Sequence, residues 1–223
     1  HTMKLMENRR AWPSGHSSVP SVDSADRFVM DFDCTLSENH LFKTTHGTHR
    51  SFQSWRDKAS EAGFGSVRDA ARVEDTDFSK WIMGGQDRID MLAAKFSALK
   101  EANVKIEIST WSEINRVVKC LKNVNLLDYI SRIHGKTSDN REVNVWSQTN
   151  QVETQLASHE LTQKQNWIAH IAEKARVLFV DDTDSNYRGL DTSGNAAVFP
   201  NARYGLAKDG TGLDERMMDY VLQ

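Results

Sequence analysis

With 223 residues, 39% apolar and 26% charged, the chain fits one domain, or one domain with a modest insertion, of ordinary globular composition. A net charge of -3 gives no bulk electrostatic reason for nucleic-acid or membrane-surface binding, and no apolar run reaches the length that spans a bilayer. Cys34 and Cys120 do not make a disulfide framework and no signal peptide opens the chain, so an intracellular, cytoplasmic protein is expected, with export to act elsewhere left open. Residues 1–26, polar and punctuated by Pro13, Gly15 and Pro20, read as a mostly irregular lead-in with Trp12 tucked onto the body.

The first ordered element is expected at Phe28-Val29-Met30, a short apolar run suited to a strand buried on both faces. Asp31 and Asp33 follow, and strand alternation places them on one side. Two like charges that close repel unless a cation or a proton is shared, and a hard divalent cation such as Mg2+ meets that need through carboxylate oxygens. Cys34 and Thr35 then turn the chain at the carboxyl end of the strand, where open α/β sheets bind ligands. A thiolate beside the acids would add negative charge, so Cys34 reads as a small neutral filler. Taken alone, the pattern also fits the metal site of a sugar-nucleotide glycosyltransferase, or a plain turn capped by Asp33.

Residues 37–49 carry His40, His46 and His49 at a spacing that matches no zinc pattern, so a solvated loop is expected, with one histidine free to assist the chemistry. A short helix over Phe52–Ala62 comes next, then one near Phe78–Met83 that starts at Asp75 or Asp77 and breaks at Gly84-Gly85. A long amphipathic helix over Gln86–Ala102 carries Ile89, Leu92, Phe96 and Leu99 on one stripe. Val104–Thr110 is the second strand, ending in the hydroxyls of Ser109 and Thr110, and Ser112 is placed to cap the helix of Ile114, Val117 and Leu121. Tyr129–His134 is a third strand. Polar composition without periodicity predicts a long loop or flap over about 136–159, with Val143, Val145 and Trp146 in a short extended piece.

Thr162 is placed to cap a helix with Trp167, Ile168 and Ile171, and Lys164 stands in its first turn, where the helix dipole favours anions. Arg176–Val180 is another short buried strand, ending in Asp181-Asp182, with Asn186 beyond. Two strands that both end in paired carboxylates, alternating with helices, converge on one divalent-metal site. A strand at Ala196–Phe199, a turn at Pro200–Gly205 and a helix from about Leu213 complete the chain.

In order and spacing these segments resemble the four motifs of the haloacid dehalogenase-like hydrolase superfamily, over about residues 27–206. The first is Asp31-Phe32-Asp33-Cys34-Thr35. The second is Thr110, with Ser109 as the alternative hydroxyl. Lys164 is the third, with Lys174 a competitor that sits too near the last strand, and Asp181-Asp182 with Asn186 is the fourth. The resemblance implies a Rossmann-like three-layer αβα sandwich with a central parallel sheet. It also implies an Mg2+-dependent phosphatase of the DxDxT type. Asp31 would attack phosphorus to form an aspartyl-phosphate, while Asp33 would protonate the leaving oxygen and then deprotonate water. Dehalogenating members lack that second acid. Mg2+ would be held by Asp31, the main-chain carbonyl of Asp33 and Asp182, with Asp181 and Asn186 supporting. Thr110, Lys164 and the amides after Asp31 would bind phosphate, with Thr35 ordering the loop by hydrogen bonding within it. Cys34 departs from the glycine that many members carry there.

Substrate choice in that family depends on cap insertions. Residues 37–103 hold more than a bare core needs but too little for a large lid, so a small helical cap around 50–85 is expected. Such a site stays comparatively open and admits a phosphorylated protein side chain. Trp55, Trp81, Trp111 and Trp146 offer aromatic faces to a flat phosphoester such as phosphotyrosine wherever they do not simply pack the core. A sugar or nucleotide phosphatase, and a non-catalytic module that binds phosphate or a partner, stand as alternatives. A receiver domain uses similar residues in another order, acids first, hydroxyl and lysine last. The expected protein is a monomer acting on a phosphorylated substrate, without nucleic-acid or membrane partners.

Overall fold

The computed structural model describes residues 27–46, 49–65, 75–156, 158–186, 190, 196–198 and 212–222. The expected lead-in with Trp12 and the turn at Pro200–Gly205 lie outside the described residues.

The chain's apolar runs become strands β1 (Arg27–Met30), β2 (Lys105–Glu113), β3 (Ile130–Lys136), β4 (Val143–Ser147), β5 (Val152–Gln155), β6 (Val177–Val180) and β7 (Ala196–Val198). They form one seven-stranded sheet in the order β5-β4-β3-β2-β1-β6-β7. All pairings are parallel except β3–β4 and β4–β5, so β4 alone runs against the rest. β1 is paired on both sides, by β2 and β6, and its two faces are both covered. Phe28 and Met30 enter the larger hydrophobic cluster and Val29 enters the smaller one. That double burial is why β1 reads as a continuous apolar run rather than an alternating one.

The helices are α1 (Leu41–Thr45), α2 (Gln53–Glu61), α3 (Thr76–Met83), α4 (Gln86–Glu101), α5 (Ile114–Asn123), α6 (Lys164–Ala172) and α7 (Glu215–Leu222). The α4 stripe of Ile89, Leu92, Phe96 and Leu99 is buried in the larger cluster with Ile114, Val117 and Leu121 of α5. Across the sheet, Trp167, Ile168 and Ile171 of α6 pack on Val29, Val177 and Phe179. Helices on both faces of a mostly parallel sheet make a three-layer αβα sandwich, as expected. No helix among the described residues is long and apolar enough to cross a membrane.

Three local features refine the expectations. α3, in the stretch expected as a small helical cap, buries Phe78, Ile82 and Met83 in the larger hydrophobic cluster. Its ends are as read, with the Asp75 side chain accepting the amides of Asp77 and Phe78 and Gly84 closing it at φ 90°. The segment expected as a loop or flap over 136–159 contains the antiparallel hairpin β4–β5, with Val143 and Trp146 buried. Alternation there is weak because β5 is an edge strand whose Val152 is 54% exposed. Thr162 does not cap α6; Gln163 holds that position, and the Thr162 hydroxyl donates to His159 O at 2.7 Å.

A brace ties the loop after β1 to the far end of the chain. Arg88 Nη1 donates to Leu36 O and Met83 O, each at 2.7 Å, and its Nη2 donates to Leu213 O at 2.9 Å. Leu213 N in turn donates to Thr35 O at 2.7 Å. Gly212 fits beneath this loop only as glycine: its φ is +72°, and a Cβ would meet Ser37 O at 2.9 Å and Thr35 O at 3.0 Å. Burial pulls the guanidinium of Arg88 down to about 10, which leaves it charged at neutral pH. Arg88→Met strands these carbonyls without their donor, so equilibrium denaturation should show a loss of about 2–4 kcal/mol. An unchanged midpoint and slope would show that the brace contributes nothing.

Candidate active site

The carboxyl ends of β1, β2 and β6 bring the sequence's acids, hydroxyls and lysine together. Asp31 continues the parallel ladder, its amide donating to Val180 O at 2.9 Å. The register Met30↔Val180 therefore sets Asp31 beside Asp181. Lys164, the first residue of α6, is only 1% exposed. Its ammonium donates to Asp31 Oδ1 and Asp181 Oδ2, each at 2.7 Å. The other Asp181 oxygen accepts Thr183 N at 2.9 Å and Asn186 Nδ2 at 2.8 Å, so this carboxylate is fully engaged. Carboxylate oxygens of Asp31, Asp181 and Asp182 lie within 4.8 Å of one another.

Three carboxylates and one ammonium leave an excess of negative charge in a buried place. Burial pushes the Asp31 carboxyl well above its usual range against the pull of Lys164, and Asp181, Asp182 and Asp33 push it the same way. Asp182 is raised to about 6, by burial and then by Asp181. Lys164 is raised despite its own burial because Asp31 and Asp181 flank it. Hard oxygen donors crowded at this spacing, with proton affinities raised by mutual repulsion, fit a divalent cation.

Asp33 does not share that cluster. The chain leaves extended geometry after Asp31, and Cys34 adopts φ 61° and ψ 10°, a left-handed turn that costs a non-glycine residue about 1–2 kcal/mol. Strand alternation therefore stops applying, and the Asp33 carboxylate turns away from Asp31 toward its own partners. It accepts from Ser112 Oγ, meets His40 Nδ1 at 3.0 Å, and accepts the Phe42 amide at 3.3 Å. Burial works to raise Asp33, but His40, Ser112 and the Phe42 amide outweigh it and hold the carboxyl low. Cys34 is buried, and burial pushes its thiol far up, so it stays neutral between the acids.

The hydroxyls separate by face. Ser109 Oγ lies 3.0 Å from His134 Nδ1, while His134 Nε2 donates to Leu161 O at 2.8 Å, so Ser109 donates into the back of the sheet. Burial brings His134 down to about 4, and it is neutral. Thr110 Oγ1 accepts the Ser112 amide at 3.1 Å and keeps its own proton to donate. Thr35, expected to bond within its own loop, instead accepts the Asp182 amide at 3.0 Å and ties the first motif to the fourth.

Two participants were not picked out from sequence. Ser112 was expected to cap α5, yet β2 runs on to Glu113 and Ser112 reaches Asp33. The signal was its offset of two from Thr110, which places both on one face of an extended strand. His40, foreseen only as one of three histidines in a solvated loop, pairs with Asp33. The described part of 37–49 is docked, not solvated: α1 forms there, and His46 Nε2 lies 2.8 Å from Glu113 Oε1 while stacking on Phe42 at 4.3 Å. Of the four tryptophans, Trp146 is in the core and Trp81 packs on Phe64 and Phe78. Trp55 stands edge-on to His40 at 5.6 Å, and Trp111 is 36% exposed.

The central strand β1, ending in Asp31, lies between the hydroxyl-tipped β2 and the acid-tipped β6, with Lys164 arriving on α6. The layout is the one that the resemblance in sequence implies. No family model and no curated protein matches the chain. Among solved structures, the HAD domain of effector protein Lem4 from Legionella pneumophila is similar at TM-score 0.45 and 12% identity, covering 83% of this chain and 94% of that one. Cytosolic 5'-nucleotidase IIIB bound to cytidine is similar at TM-score 0.40 and 14% identity, over 88% of this chain and 84% of its own.

The raised carboxyls predict how a divalent cation acts on stability. Asp182 takes up a proton as pH falls through about 6, and a cation then competes with that proton. The rise in melting temperature given by Mg2+ over EDTA should be largest at pH 7–8 and shrink below about pH 6. His134, buried neutral, costs stability as pH falls from its unfolded value toward about 4, but equally with and without cation, so the difference isolates the acids. A cation effect that is absent, or that grows as pH falls, would contradict the assignment.

Proposed function

We propose that this protein is an Mg2+-dependent phosphomonoester hydrolase working through an aspartyl-phosphate on Asp31. The observation that carries the reading is the Lys164 ammonium shared between Asp31 and Asp181 at 2.7 Å each, with Asp33 held apart on partners of its own. Two acids so placed serve two roles. Asp31, at the strand end, attacks phosphorus while the bond from phosphorus to the leaving oxygen breaks. Asp33 delivers its proton to that leaving oxygen. It rests ionised, and the arriving phosphate dianion raises its proton affinity, which lets it take up a proton before transfer. The freed Asp33 carboxylate then takes a proton from water, which attacks the same phosphorus and returns Asp31 as carboxylate. Lys164 offsets the negative charge on phosphorylated Asp31, and Thr110 and the main-chain amides after Asp31 donate to phosphate oxygens.

Mg2+ would be held by Asp31, Asp182 and the main-chain carbonyl of Asp33, with Asp181 and Asn186 orienting them. Bound there, the cation would supply positive charge to offset the negative charge on the phosphoryl group. Asp181, saturated by Lys164, Thr183 and Asn186, is suited to that supporting role. We take the substrate to be a phosphorylated protein side chain such as phosphotyrosine, and the protein to act as a monomer.

The test is release of inorganic phosphate with Mg2+ from a panel of aryl phosphate, phosphotyrosine and phosphoserine peptides, and sugar and nucleotide phosphates. Turnover should vanish with EDTA and in Asp31→Asn, and fall roughly 100- to 10,000-fold in Asp33→Asn. The preferred panel member separates protein from metabolite substrates. Absence of turnover above Asp31→Asn on every member would leave the non-catalytic module as the reading.

A further inference from the structure

Trp111 is the residue that follows Thr110 at the carboxyl end of β2, and it is 36% exposed. A solitary exposed aromatic is ordinary on a protein surface. This one is fixed from two sides by polar groups. Its indole N–H donates to Asn186 Oδ1 at 3.3 Å, and Asn186 in turn donates to Asp181 at 2.8 Å, which joins the ring to the acid cluster. The ammonium of Lys136 lies 5.3 Å from the ring centroid. The cation over the ring and the engaged N–H hold the indole in place while 36% of the residue stays exposed.

We propose that Trp111 is a specificity-determining residue: a rigid aromatic shelf, held by Asn186 and Lys136, that stacks the ring of an aryl phosphoester whose phosphate sits at Asp31. This rests on the phosphoryl-transfer reading for where the phosphate lies. A flat ring joined through Asn186 to the acid cluster distinguishes aryl from alkyl phosphoesters, because only the first offers a π face to the indole. The cation over the ring stiffens it and lowers the entropy lost on stacking. Trp55, half-buried, instead stands edge-on to His40 at 5.6 Å with Lys58 4.9 Å from its ring centroid.

The experiment reads binding rather than turnover, so it stands apart from the phosphatase claim. Phenylphosphonate and butylphosphonate, neither of which can be hydrolysed, are titrated calorimetrically with Mg2+ into the wild type, Trp111→Ala and Trp111→Phe. The wild type should prefer the aryl ligand. Trp111→Ala should weaken the aryl ligand about three- to tenfold while leaving the alkyl ligand unchanged, and Trp111→Phe should recover most of the loss. Lys136→Met should weaken the aryl ligand by less than Trp111→Ala does, without touching the alkyl one. No aryl preference in the wild type, equal weakening of both ligands, or no change in Trp111→Ala overturns the proposal. Failure of phosphate release with these binding results intact would overturn the phosphatase reading alone.

Discussion

Lys164 sits almost wholly out of water with its ammonium 2.7 Å from carboxylates that arrive on two different strands. A buried ammonium is tolerable only when paired, and carboxylates crowded as Asp31, Asp181 and Asp182 are need a positive charge among them. Each half of the arrangement therefore requires the other. The parallel register of β1 with β6 brings the acids level, and α6 must begin where it does for its first residue to reach them. The apparent misfit of a lysine at a helix amino end resolves here, since two aspartates outweigh the helix dipole.

The remaining structure holds this meeting point in shape. Thr35 joins the β1 loop to the Asp182 amide, while Arg88 and Leu213 grip the same loop from behind. That grip opposes the local strain of Cys34 in a left-handed turn, which the loop needs in order to aim Asp33 away from Asp31. The separation is chemically useful. Asp31 is raised by burial among like charges, Asp33 is held low by His40 and Ser112, and two carboxyls two residues apart acquire different proton affinities.

What was legible in the sequence was whatever local pattern determines. Phe28–Met30 and Val177–Val180 announce themselves because a strand buried on both faces has no polar alternation to confuse it. The stripe of α4 is legible for the equivalent helical reason. What escaped depends on partners distant in sequence. Ser112 before a helix looks like a cap, and only the extension of β2 to Glu113 turns it toward Asp33. Arg88 looks like a solvated helix residue until Leu36 and Leu213 close around it. The hairpin β4–β5 was hidden because an edge strand such as β5, with Val152 exposed, carries little hydrophobic signal.

The central claim is that Asp31 carries the phosphoryl group. Its most direct test is to quench the protein in acid during incubation with Mg2+ and an aryl phosphate, reduce with borohydride, and map the peptide spanning residue 31. An acyl phosphate on Asp31 reduces to homoserine, so homoserine at position 31 that depends on both substrate and Mg2+ is the predicted result. Steady turnover with an unmodified Asp31, or homoserine at Asp33, Asp181 or Asp182 instead, would contradict the account.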